Sequence, residues 1–140
     1  YTLTILAWFG PGEYSSKFIT HAIRCCLDKR PIPIRQDCYF DYLYIEDYIK
    51  FADYFIEHDI KYHDYNACSG KRIKLTDLAQ KVYKQMGMQQ EIIVSMPGFN
   101  KEYTASNARI LAECNMSGND LSDIDCGIKK LIAWERKHYK

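Results

Sequence analysis

Strands alternating with helices along the chain predict an α/β domain. Short β-branched and aromatic runs recur, each closed by Gly, Pro or Ser. Between them lie stretches whose apolar residues repeat at the three- and four-residue steps of a helix. No internal repeat or low-complexity linker interrupts the sequence, so residues 1–140 read as one domain.

Tyr1 to Phe9 is β-branched and aromatic enough for one strand, ended by Gly10-Pro11-Gly12. Ser15 or Ser16 then caps a helix whose Phe18, Ile19, Ala22, Ile23 and Cys26 share a face. Pro31 and Pro33 forbid helix and frame an extended Ile32 to Arg35. Tyr42 to Ile45 is the next strand, and Glu46 and Asp47 suit the positive end of a helix running to about Glu57. Phe51 and Phe55 mark the inner side of that helix. Tyr62 to Cys68 forms a strand stopped by Ser69-Gly70.

Leu75, Leu78, Ala79, Val82 and Tyr83 follow helical spacing, with Gly87 as the left-handed cap. Glu91 to Ser95 is a strand closed by Pro97-Gly98, and Asn107 to Glu113 a short helix. The last helix starts from Ser122 and Asp125, a shortened capping box, and carries Ile124, Ile128, Leu131, Ile132 and Glu135 on one stripe.

Composition excludes several classes of function. The chain is 47% hydrophobic and 26% charged, which supports a packed core rather than disorder. A formal charge of +1 with no basic stripe gives nucleic acid nothing to bind. No apolar run reaches the ~20 residues that span a bilayer, so no membrane partner is expected. The six cysteines lack metal spacing and read as reduced, structural side chains of a cytoplasmic protein. The four histidines share no ligand spacing, and no metal site is expected.

Catalytic chemistry is also missing. None of the seven glycines builds the Gly-rich strand-to-helix turn that admits a dinucleotide pyrophosphate. None of the twelve tyrosines has Lys at the fourth following position, and Tyr14 comes nearest with Lys17 at the third. No nucleophile–base set is present either, so no catalytic residue is assigned.

Three segments carry a resemblance when taken in order: Phe9-Gly10-Pro11-Gly12-Glu13, then Phe40-Asp41-Tyr42-Leu43-Tyr44-Ile45-Glu46-Asp47, then Tyr65-Asn66-Ala67-Cys68-Ser69-Gly70-Lys71. With the Leu/Ala-spaced helix that follows, the chain resembles the C-terminal part of NAD-dependent epimerase/dehydratases, extended short-chain dehydrogenases acting on nucleotide sugars. The resemblance implies the substrate-binding lobe and the last part of the Rossmann sheet, with the nucleotide-binding half absent. The chain begins on Tyr1 rather than Met, which fits a piece of a longer enzyme that holds NAD or NADP only when complete. Phe9 and Pro11 inherit a place beside the nicotinamide. Lys17, Asn100, Lys101 and Tyr103 are the candidate contacts to a nucleotide-sugar substrate.

The likeness departs from the family at three positions. Phe40 and Met96 stand where many relatives carry arginine, and Ala7 where an amide often faces the substrate. Lys17, Arg35 and Lys101 are the cations that could compensate. A severed sheet edge would leave apolar groups exposed, so the isolated chain is expected to self-associate. The rival reading is a freestanding, non-catalytic module that binds a sugar, a nucleotide or a protein.

Overall fold

A computed structural model describes residues 1–140. The first extended stretch bends at Leu6 and forms two strands, β1 (Thr2–Ile5) and β2 (Ala7–Phe9). They take different parallel partners. β1 pairs with β6 (Asp64–Ala67), and β2 with β5 (Tyr42–Tyr44). Between them come α1 (Phe18–Leu27), β3 (Pro33–Asp37) and β4 (Tyr39–Phe40), and α2 (Ile45–Glu57) follows β5.

The second half contributes β7 (Ile73–Lys74), α3 (Leu75–Met86), β8 (Ile93–Phe99), α4 (Ala108–Glu113) and α5 (Ile124–His138). β3 and β8 run parallel, and β4 and β7 antiparallel. β1 has a partner on one edge only.

β5 divides two cores. Tyr44 joins Phe9, α1, α3 and α5 on one face, whereas Leu43 joins Phe51, Phe55, Tyr65 and Ile110 on the other. A strand buried on both faces is normal for parallel pairing. Five of the six cysteines are buried and all six are free. Cys25 and Cys26 in one core and Cys114 in the other act as small hydrophobes. Gly127 is needed where α5 crosses β2, because an added Cβ would lie 2.6 Å from the Phe9 ring.

The helices follow their apolar spacing, and Gly87 caps α3 at φ +67°. Three boundaries differ from expectation, the first at α1, where Lys17 rather than Ser15 or Ser16 precedes the helix. β8 does not stop before Pro97-Gly98 but runs through it to Phe99. A register shift opposite, between Gln36 and Asp37, absorbs the irregularity. Ser122 does not cap α5; Asp123 stands there instead. The Ser122 N–H and Oγ–H are drawn to Asp47, at 2.8 and 3.2 Å. The reciprocal capping box lies earlier, between Ser117 and Asp120.

Candidate functional site

The six candidate residues fall into two groups. Phe9, Pro11 and Lys17 belong to the turn between β2 and α1. Pro11 is exposed, but Phe9 is buried whole, its ring packed against Tyr42 and Tyr44, and it presents no surface to a ligand. Lys17 is the residue before the first turn of α1 and makes no side-chain cap there. Asn100, Lys101 and Tyr103 lie on the loop after β8, which is stapled to the β3–β4 strip. The Asn100 N–H donates to the Asp37 carbonyl at 2.8 Å, and the Tyr103 N–H to the Tyr39 carbonyl at 2.9 Å. The Lys101 carbonyl accepts the Cys38 thiol at 2.9 Å.

A line of rings joins the two groups. Phe9 meets Tyr42 edge-on at 6.2 Å, Tyr42 lies 5.5 Å from Phe40, and Phe40 lies 5.8 Å from Tyr103. Alternation along β4 and β5 puts Phe40 and Tyr42 on one side and turns Asp41 to the other. The Asp41 carboxylate is 1% exposed and accepts the N–H groups of Ser69 and Gly70, both at 2.7 Å. Asp41 therefore holds the corner that feeds β7, rather than serving as an acid.

That corner shapes a hollow of about 200 Å³ between Tyr42, Ser69, Lys71 and Arg72 on one side and Ser122 and Asp123 on the other. The Arg72 guanidinium lies 3.9 Å above the Tyr39 ring, which stacks on Phe99 at 5.5 Å and 9°. The Tyr42 hydroxyl ionises well above its usual range because burial, and then the nearby Glu13 charge, oppose its anion. It stays a neutral donor. A wider concavity of about 800 Å³ beyond α3 is lined mainly by Gln80, Lys84, Gln89 and Gln90. It gathers no ring and no perturbed group, so the smaller hollow is the better candidate.

Arg72 and the Tyr39–Phe99 stack were not foreseen. β7 is two residues long, too short to stand out as a pattern, and only its pairing with β4 brings Arg72 over Tyr39.

Under the Gly10–Glu13 turn, the Glu13 carboxyl is 8% exposed. Oε1 accepts the Thr20 hydroxyl at 2.6 Å, and Oε2 has no partner. Burial, only partly offset by Thr20 and Lys17, raises its pKa from 4.5 to about 7. Below 4.5 both folded and unfolded chains hold the proton and nothing is lost. Between 4.5 and 7 the unfolded chain ionises first, and above 7 the full cost is present. Glu13→Gln should therefore stabilise the chain by about 2 kcal/mol at pH 8 and by little at pH 4.5. Urea unfolding across that range measures the difference, and a gain independent of pH contradicts the assignment.

The sequence model of the NAD dependent epimerase/dehydratase family matches residues 2–68. No curated protein matches the chain. Solved structures match nearly all of it. The dTDP-glucose 4,6-dehydratase from Bacillus anthracis, in complex with NAD, is 15% identical with a TM-score of 0.84, over 98% of this chain and 44% of its own. The UDP-glucuronic acid 4-epimerase from Bacillus cereus, with UDP-glucuronic acid and NAD, is 19% identical with a TM-score of 0.81, over 98% and 45%. The UDP-glucose 4-epimerase from Thermotoga maritima, with UDP-glucose, is 14% identical with a TM-score of 0.84, over 99% and 46%. The chain thus has the mixed α/β fold of part of these enzymes and spans less than half of each.

Proposed function

We propose that the chain belongs to the NAD-dependent epimerase/dehydratases and is the C-terminal, substrate-binding part of one that acts on a nucleotide sugar. The single observation that carries the reading is the superposition of almost the whole chain on less than half of enzymes solved with nucleotide sugars. The family match over residues 2–68 agrees with it.

In the longer protein the nicotinamide supplies hydride chemistry at a sugar carbon. The present residues bind and orient the substrate. Pro11 fits a wall contact beside the nicotinamide and nothing more, with Phe9 packed behind it, and the chain has no turn to cradle a pyrophosphate. Lys17 reaches the sugar nucleotide from the β2–α1 turn, and Asn100, Lys101 and Tyr103 from the loop at the other end of the line of rings. The unpaired edge of β1 receives a further strand of the sheet. In the isolated chain that open edge favours self-association.

Reading and expressing the complete gene tests the proposal. The expected result is an in-frame Gly-rich turn and a Tyr-x-x-x-Lys upstream, with turnover of UDP-glucose, UDP-glucuronic acid or dTDP-glucose in the presence of NAD. The 140-residue chain alone is expected to show no calorimetric binding of NAD. A start codon immediately before Tyr1 would sink the enzyme reading in favour of a freestanding binding module.

A further inference from the structure

We propose that Arg72, with Lys71 beside it, is a phosphate grip that Glu102 occupies until a phosphorylated ligand displaces it. Arg72 holds Glu102 with both prongs of its guanidinium, Nε to Oε1 at 3.1 Å and Nη2 to Oε2 at 3.2 Å. The same planar fork fits two oxygens of a phosphate. Glu102 is an inexpensive partner to lose, because the two side chains are 57% and 42% exposed and such pairs contribute little to stability.

The fork keeps its place without Glu102. Its flat face rests on Tyr39, and Tyr39 rests on Phe99, so the guanidinium is oriented before any anion arrives. Lys71 lines the same hollow and has no ion-pair partner in the fold. Tyr42 also lines the hollow. At about 200 Å³ the space suits a phosphate or diphosphate rather than a whole nucleotide sugar. Asp123 on the opposite wall opposes an anion and moderates the affinity.

Displacement has a ready path. Glu102 sits on the loop that carries Asn100, Lys101 and Tyr103, and the Thr104 hydroxyl donates to its Oε1 at 2.7 Å. Thr104 can keep that bond when Glu102 leaves Arg72, so the freed carboxylate retains a local partner. Phosphate entry and rearrangement of the 100–104 loop are then one event.

The inference deepens the substrate-binding reading and rests on it only for the class of ligand. Its test is a calorimetric titration of the chain with pyrophosphate at low salt, with uridine and UDP as separate arms. Glu102→Gln, which removes the competing charge, should tighten pyrophosphate binding about threefold or more. Arg72→Met should weaken it about tenfold or more, and Arg72→Lys should fall between, since it keeps charge but loses the fork. UDP should follow pyrophosphate and uridine alone should not respond to these variants. Unchanged or weaker binding in Glu102→Gln, or unchanged binding in Arg72→Met, overturns the grip. Thermal unfolding of each variant controls for folding. If pyrophosphate ignores Arg72 while the complete protein turns over a nucleotide sugar, the grip fails and the function stands. The converse result separates them the other way.

Discussion

Asp41→Ala is expected to cost about 4 kcal/mol, because it removes two charge-assisted hydrogen bonds worth ~1.5–3 kcal/mol each. The carboxylate is almost fully buried and both oxygens are used, one on the Ser69 N–H and one on the Gly70 N–H. Without them two backbone donors lose their partners at a corner where Gly70 already sits at φ +74°. Local consequences reach further than the free energy. The corner carries Lys71 and Arg72 into the hollow, so hydrogen exchange at Ser69 to Arg72 should accelerate before the rest of the fold loosens. Asp41→Asn keeps the shape and one good acceptor, and should cost about half as much. Denaturant unfolding with amide exchange reads both effects. A loss below about 1 kcal/mol for the alanine variant would mean that the corner is held by something other than Asp41.

The same residue shows where sequence reading reached its limit. Asp41, Glu46 and Asp47 stand close together and look like an acid cluster, with the helix dipole explaining the last two. The fold sends them to three separate partners: Asp41 to the Ser69–Gly70 backbone, Glu46 to Lys130, and Asp47 to Ser122 and Lys50. Lys50 is a local i,i+3 neighbour of Asp47, but the other partners lie 28 to 84 residues away and no local pattern encodes them. Elements set by short-range periodicity were legible, as α3 and its Gly87 cap illustrate. β7 and the bend at Leu6 were not, because each exists only through its pairing partner. The candidate site divides in the same way. Its rings and the 100–104 loop could be named from residue types, but the aromatic line between them needed the strands in register.

The Arg24–Glu135 pair should produce a comparably large effect between helices. Arg24 Nε lies 2.8 Å from Glu135 Oε2, and Nη2 lies 3.4 Å from Oε1, tying α1 to α5. Glu135 ends the apolar stripe of α5 and its side chain is only 2% exposed, whereas that of Arg24 is 26% exposed and also covers the Tyr139 ring at 4.7 Å. The two partners are therefore unequal. Arg24→Met leaves a buried carboxylate with no counter-charge and should cost about 3–4 kcal/mol at neutral pH.

The nearby Glu13, also buried, feels the Glu135 charge as a repulsion. Combining Arg24→Met with Glu135→Leu removes both charges, and the double variant should recover most of the stability, since apolar residues replace buried ion pairs at little cost. A double-mutant cycle by urea unfolding at neutral pH measures the coupling directly. Equal losses for the single and double variants would show that α1 and α5 are held by the Ile23, Leu131 and Ile132 packing alone.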